Sequence, residues 1–380
     1  MTWAEVDLTL VRQNALAIKS YVDDRKLIAV IKSDAYGHGL VPVARALRPV
    51  ADILAVATVN EAVELRNNQI EAPIMILYSS LPQDVSAIIE HDLQPTVSDP
   101  EFCKNLFQLA VEKRQIVRTH VNIDTGMNRD GVWHQKATSF IDWLSSLPQI
   151  EVASIFTHFA TTDVNKSSRM HKQLDRFKIV VSELRQQNIL PPTVHVASTA
   201  ALLSPFSTVE TDFNAVRVGL GLYGVLPVMT KQMPFPLSPA LTWKASVISV
   251  RNVKAGESVS YGSDYKANID QKLATLRVGY GDGYPRQLSN NGQIMIKNKL
   301  YPIVGQVCMD VTICSLDSYN TVSVGDTAIL IGQGMETNLP VNQLANHAGT
   351  ISYEILSQIN KRVPRLYNTS WNNQVYEKQS

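Results

Sequence analysis

Short apolar runs recur along the first 220 residues, at 27–31, 53–57, 73–77, 93–97, 116–123, 152–156, 193–196 and 215–218. Between them lie stretches with a helical period, at 40–47, 60–67, 82–91, 99–113, 134–147 and 167–187. The run 27–31 (LIAVI) is apolar without polar alternation, which predicts a strand buried on both faces. Alternation of such strands with helices predicts a parallel sheet with right-handed crossovers. Eight units in this length predict a (β/α)8 barrel of the TIM type. Ahead of it, residues 3–10 (WAEVDLTL) alternate apolar and polar. They predict a half-buried strand, followed by a helix over 10–21.

The texture then changes. Residues 227–239 carry four prolines and little periodicity, which reads as a linker. Beyond it the runs 246–250, 273–278, 293–296, 301–304, 311–313 and 327–331 are short, β-branched and punctuated by glycine turns. They predict a mostly antiparallel β domain with late helices near 341–348 and 353–360. The expected organisation is a strand at 1–10 pairing with the β domain, a barrel over 11–230, and a β domain over 231–380.

Composition narrows the class. With 380 residues, 45% of them hydrophobic, the chain can bury the core of two domains. A net charge of +1 argues against a dedicated nucleic-acid surface. Cys103, Cys308 and Cys314 follow no metal-ligand or disulfide spacing. No leader or membrane-spanning run is evident, so a soluble cytoplasmic protein is expected.

Reactive residues of an eight-fold barrel collect where strands end. The first strand ends at Lys32, with Tyr36 four residues on. The fifth leads into Asn122 and, seven residues later, Arg129; the sixth ends at His158, the seventh at Ser198-Thr199, and the eighth at Arg217-Val218-Gly219-Leu220-Gly221. A lysine ending a strand ordinarily points to water. One held in a cavity becomes a nucleophile for a carbonyl. Gly219 and Gly221 bare backbone N–H groups after the eighth strand, and phosphate sites in these barrels usually follow strands seven and eight. A Schiff-base lysine on one wall and a phosphate cradle on another fit pyridoxal 5′-phosphate.

The segments AVIKSDAYGHG, NIDTGM-x-R, FTHFA, VRVGLGLYG, VSYG, GYGDGYPR, CMD and TISYE occur in this order over nearly the whole chain. Together they resemble the fold-type III alanine racemases. The resemblance implies that Lys32 carries the cofactor and is one of two acid–base groups, the other being Tyr261 from a partner subunit, on the opposite face of the substrate Cα. It implies a homodimer with shared active sites that interconverts L- and D-alanine and supplies D-alanine for peptidoglycan. Arg217 would face the pyridine nitrogen. Being a permanent donor, it would leave that nitrogen unprotonated. His158 would bridge Arg217 and Tyr261. Tyr36, Thr199, Gly219, Leu220 and Tyr353 match phosphate-binding positions, with the cofactor-binding candidate Ser198 adjacent, Gly219 and Leu220 acting through their N–H groups. Arg129 would bond the cofactor's phenolic oxygen and Met309 of the partner the substrate carboxylate. Tyr280 and Tyr353 would narrow the entrance from the partner's side.

Asn122 departs from the pattern, since many relatives carry a carbamylated lysine there whose charge holds the arginine equivalent to Arg129. Either the Asn122 amide oxygen alone orients Arg129, or a small anion fills the gap; a bound chloride is expected, because a buried arginine without a counter-charge is costly. Gln306 replaces an arginine of the access corridor, where Arg286 and Asp163 keep the pattern.

Three other classes compete. Racemases acting on serine or basic residues often carry export signals or membrane segments. A decarboxylase of similar architecture needs a late cysteine motif different from Cys308-Met309-Asp310. A non-catalytic pyridoxal phosphate carrier would stop near the linker. The second half of the chain favours the enzyme.

Overall fold

The computed structural model describes residues 1–162, 167–203, 213–227 and 235–369. Strand β1 (Thr2–Asp7) comes first. Then β2 (Lys26–Val30), β3 (Ile53–Val56), β4 (Ile74–Ser79), β5 (Gln94–Val97), β6 (Val117–Asp124), β8 (Ile150–Phe156), β9 (Thr193–Ser198) and β10 (Ala215–Val218) form a ring. Every pairing in that ring is parallel, and β10 returns to β2 to close it. A two-residue strand, β7 (Val132–Trp133), pairs in parallel with the end of β6. The eight barrel strands fall within two residues of the eight apolar runs, because strands covered on both faces must be apolar throughout.

The second sheet comprises β11 (Leu241–Val253), β12 (Gln271–Leu276), β13 (Gln293–Ile296), β14 (Lys299–Pro302), β15 (Thr312–Leu316), β16 (Thr327–Gln333), β17 (Asn338–Leu339) and β18 (Arg365–Asn368), together with β1. β1 lies between β11, antiparallel to it, and β18, parallel to it. Ala4 and Val6 turn into the core, and Glu5 turns outward to meet Lys244 at 2.8 Å. One apolar core runs through barrel and sheet. No helix among the described residues is long and apolar enough to cross a membrane.

Two local departures from the sequence pattern matter. β1 stops at Asp7 rather than residue 10, because the Asp7 carboxylate accepts the Leu10 N–H at 3.0 Å and starts the helix Leu8–Val22. After β2, the expected polar turn is one turn of left-handed helix: Ser33, Asp34, Ala35 and Tyr36 all have φ between 52° and 54°. Left-handed helix costs an L-residue about 1–2 kcal/mol, so surrounding structure must hold these four in place.

It does so from three sides. Glu61 accepts the Ser33 N–H at 2.6 Å, and Asp34 accepts the Leu40 N–H at 2.8 Å. His38 donates from Nδ1 to the Tyr36 carbonyl at 2.9 Å, and Arg365 donates to the Gly37 carbonyl at 3.1 Å. Gly37 lies directly against Leu356 of the helix Ser352–Gln358. Four residues apart on one helical turn, Lys32 and Tyr36 share a face, and that face is the barrel mouth.

A Cβ on Gly37 would sit 2.1 Å from the Leu356 carbonyl oxygen, at a φ of +78°. Gly37→Ala is therefore expected to lower stability by about 2–4 kcal/mol in urea denaturation. Gly256 also has positive φ but nothing within 4 Å. Gly256→Ala should cost only about 1 kcal/mol.

Candidate active site

The strand ends surround a cavity of about 450 Å³ at one mouth of the barrel. Lys32, Tyr36, Asn122, Arg129, His158, Ser198, Thr199, Arg217, Gly219, Leu220 and Tyr353 all line it. Lys32 is half-buried, and its Nζ lies 3.3 Å from the hydroxyl of Tyr78. Tyr78 was not singled out in the sequence: a tyrosine directly after the apolar run 73–77 reads as packing.

On the far wall, Thr199 organises the loop after β10. Its hydroxyl oxygen accepts the N–H of Gly219 at 3.1 Å and of Gly221 at 3.4 Å. The Gly219 N–H is thus taken up within the chain, a correction to its expected role as a free donor: the threonine hydroxyl reaches it first. Leu220 opens a 3-10 turn, so its N–H has no intrahelical acceptor. Ser198 caps the turn Thr199–Leu202. Gly219 has no room for a side chain, because a Cβ would lie 2.4 Å from the Tyr36 hydroxyl. Burial, with Tyr353 and Tyr78 adding to it, pushes the Tyr36 phenol well above its ordinary pKa, so it stays a donor. Tyr353 packs on Tyr36 with ring centres 5.9 Å apart. Its place is in its own chain's cavity, which corrects the expectation that it closes the site from the partner's side.

Arg217 is 5% exposed, and its partners are all neutral. Its Nη1 donates to His195 Nδ1 at 2.7 Å; its Nη2 donates to His158 Nδ1 at 3.0 Å and to the Thr157 carbonyl at 3.1 Å. The guanidinium also lies over the Phe156 ring, 4.8 Å from its centre. No carboxylate pairs with it among the described residues, so a structural salt bridge does not explain it.

A guanidinium only donates, and that fixes the direction of every bond behind it. His195 must accept at Nδ1 and carry its proton on Nε2, which then donates to Ser154 Oγ at 3.3 Å. Ser154 in turn donates to His120 Nδ1 at 2.6 Å, and His120 Nε2 donates to Gln94 Oε1 at 3.1 Å. Five barrel strands contribute one member each to this oriented chain. His158 is fixed likewise, with its proton on Nε2. Burial first, then Arg217, Arg129 and Lys32, hold His158 down at about 3; burial alone holds His120 at about 3. His195 is pushed well below its ordinary value by burial and Arg217. Arg217 itself falls to about 10, through burial and then Arg129.

The site thus offers an amine, a cradle of hydroxyl and backbone donors, and a permanent cation held by neutral imidazoles. The donor set suits a phosphorylated aldehyde. The alanine racemase N-terminal domain matches residues 6–227 and the alanine racemase C-terminal domain residues 240–367. An alanine racemase of Halothermothrix orenii is 38% identical over 368 residues, covering 96% of each chain. The structure superposes on alanine racemase of Clostridium difficile 630 with a TM-score of 0.91 at 33% identity, covering 97% of this chain and 96% of that one. It superposes on an alanine racemase from Bartonella henselae with covalently bound pyridoxal phosphate, with a TM-score of 0.86 at 28% identity and coverage of 97% and 99%.

The chain belongs to the alanine racemase family.

Three of the residues singled out by resemblance to this family stand outside the cavity. Tyr261 is 75% exposed, Met309 55% and Tyr280 43%. Hydrogen bonds join their loops into one cluster. Tyr280 and Gly281 donate to the carbonyls of Cys308 and Met309 at 3.0 and 2.9 Å, and Ser260 Oγ donates to the Gln306 carbonyl at 2.8 Å. Ser260, next to Tyr261, is held at φ 66°, in the left-handed region that costs a non-glycine residue. Gln306 donates to Asp264 at 2.5 Å, and Arg286 is exposed. Asp163 lies outside the described residues.

Arg129 is exposed in this chain rather than buried, which removes desolvation as the argument for a counter-ion. Its guanidinium carbon lies 5.1 Å from the Tyr78 ring centre, so a π face takes the place of a carboxylate. Buried Asn122 donates its amide to the Asp130 carbonyl at 2.7 Å.

The neutral imidazoles make acid costly. His120 and His158 sit at about 3, and His38, buried behind the left-handed turn, at about 4. In the unfolded chain each returns to about 6.5, so below that pH the unfolded state binds more protons. Stability is full above pH 6.5 and falls as pH drops toward 3. Between pH 7 and pH 5 the loss should be on the order of 2 kcal/mol for each group with a folded value near 3, read from urea midpoints at the two pH values.

Proposed function

We propose that this protein interconverts L- and D-alanine with pyridoxal 5′-phosphate, using Lys32 of one subunit and Tyr261 of another as opposed acid–base groups. One observation carries the reading: the cavity gathers Lys32, Arg217 and the phosphate-type cradle, whereas Tyr261, Met309 and Tyr280 form one exposed cluster away from it. A second copy that seats this cluster over the mouth completes the site. Symmetry then makes two such sites per dimer.

Bound cofactor withdraws electrons from the substrate Cα and makes its proton removable. The chain's residues do the rest. Tyr36, Ser198, Thr199, Leu220 and Tyr353 would hold the phosphate, and Lys32 would hold the aldehyde end. Arg217 would donate to the ring nitrogen. With neutral imidazoles behind it, it has no acid from which to pass a proton on, which limits electron withdrawal and with it side reactions. His158 turns its Nε2–H toward the opening, where the incoming tyrosine needs a donor to stay basic. Lys32 and Tyr261 exchange protons with opposite faces of Cα, so no turning of the substrate is needed. Arg129 and the partner's Met309 orient the substrate, and the partner's Tyr280 narrows the entrance so that side chains larger than methyl are excluded. The product, D-alanine, would feed peptidoglycan synthesis in the cytoplasm.

Lys32→Ala should lose the yellow colour of the loaded protein and its activity. Tyr261→Phe should stay yellow and lose about 10²–10⁴-fold in kcat/KM. Mixing the two inactive variants should restore about a quarter of wild-type activity, since half the dimers then hold one intact site. A yellow wild type without alanine turnover would leave a carrier or a racemase of another amino acid; no recovery on mixing would remove the shared site.

An anion such as chloride beside Arg129 and Asn122 belongs to the same proposal. Crystals grown in bromide should show an anomalous peak there; a flat map leaves the Tyr78 ring as the partner of Arg129.

A further inference from the structure

Tyr78 sits at the centre of the cavity wall, between its two flexible cations. Lys32 Nζ lies 3.3 Å from its hydroxyl and 5.1 Å from its ring centre, and the Arg129 guanidinium carbon lies 5.1 Å from the same ring centre. The backbone explains how the side chain gets there. Along the β4–β5 pair the register slips: Ile76 faces Pro95 and Ser79 faces Thr96, so two extra residues of β4, Leu77 and Tyr78, are accommodated between those pairs. A bulge of this kind breaks the strict alternation of a strand and re-aims its side chains. As a result both Leu77 and Tyr78, although consecutive, line the cavity.

The bulge is tied down on its outer side. Ser79 donates its N–H and hydroxyl to the two carboxylate oxygens of Asp130, at 3.1 and 2.8 Å, and its hydroxyl meets Ser98 Oγ at 2.8 Å. Asp130 follows Arg129 in sequence. One carboxylate therefore fixes both the strand end that carries Tyr78 and the loop that carries Arg129.

We propose that Tyr78 is a positioning residue for both cations: its hydroxyl holds the Lys32 amine on one side of the cavity, and its ring face holds Arg129. The proposal rests on the reading of Lys32 as one of two opposed acid–base groups. A lysine serving as a base is a free amine on a four-carbon stem, and such an amine loses productive orientation unless something accepts its N–H. The phenol oxygen accepts it. Arg129, exposed and without an ion pair among the described residues, is oriented by the aromatic face. The two effects separate by substitution, because phenylalanine removes only the hydroxyl and leucine removes the ring as well.

Two measurements on the full-length chain test this. The first needs no turnover. With the cofactor dialysed away, cyanate labelling of Lys32, followed by peptide mass spectrometry, should run roughly three- to tenfold faster in Tyr78→Phe than in wild type, because the amine loses the hydroxyl that holds it and is freer to attack. The second uses loaded enzyme and alanine deuterated at Cα. Tyr78→Phe should raise the primary isotope effect on kcat/KM for the one enantiomer whose proton Lys32 removes and leave it unchanged for the other. Tyr78→Leu should add a rise in KM for both enantiomers. An unchanged labelling rate in Tyr78→Phe, or equal losses in both directions with unaltered isotope effects, would overturn the proposal. A wild type that racemises nothing, beside a Tyr78→Phe variant with faster labelling, would instead sink the racemase reading and leave the Lys32–Tyr78 pair standing.

Discussion

The barrel interior holds a positive charge with no negative charge to meet it among the described residues, and the inner layers are built around that fact. Desolvating a guanidinium without a carboxylate is costly, so the chain supplies acceptors in every direction that Arg217 points: His195, His158 and the Thr157 carbonyl. Because a guanidinium only donates, each neighbour must accept, and the polarity passes on through Ser154 and His120 to Gln94. Barrels of this type usually fill their centre with Val, Ile and Leu. Here a polar column replaces part of that filling. Its members stay neutral because they are buried, and their neutrality leaves the Arg217 charge undiminished where it faces the cavity.

The walls of the site are placed by strained or irregular backbone, each case secured from outside. The left-handed turn that presents Lys32 and Tyr36 would not persist alone. It is pinned by Glu61 from the next barrel unit and by Leu356 and Arg365 from the last part of the chain. The bulge that presents Tyr78 is pinned by Asp130. Ser260, at positive φ beside Tyr261, is bonded to the Gln306 carbonyl. The sheet is thus more than an appendage. It locks the lysine turn of its own barrel and carries an exposed tyrosine cluster on its outer side.

Much of this was legible in the sequence. The eight barrel strands were, since strands covered on both faces must be apolar from end to end, and residues such as Lys32, His158 and Arg217 stood out as polar groups ending such runs. The cradle was legible as a set of residues but not as a set of bonds: Thr199 consuming the Gly219 N–H depends on how closely two loops approach. Tyr78 escaped notice because alternation places consecutive strand residues on opposite faces, and only the slipped register brings both Leu77 and Tyr78 inside. Arg129 was treated as a buried arginine in need of a counter-charge, and its loop carries it outward instead.

What the sequence determined by itself was periodicity and chemical inventory. Those fix where strands and helices lie, that a barrel is followed by a mostly antiparallel sheet, and which side chains gather at strand ends, because burial of apolar faces is a local property of spacing. The tertiary structure decided handedness, direction and membership: that residues 33–36 coil left-handed, that every proton in the His195–Ser154–His120 chain points away from Arg217, that Tyr353 serves its own cavity, and that Tyr261 does not reach it. These depend on distances between segments remote in the chain, and no spacing along one segment encodes them.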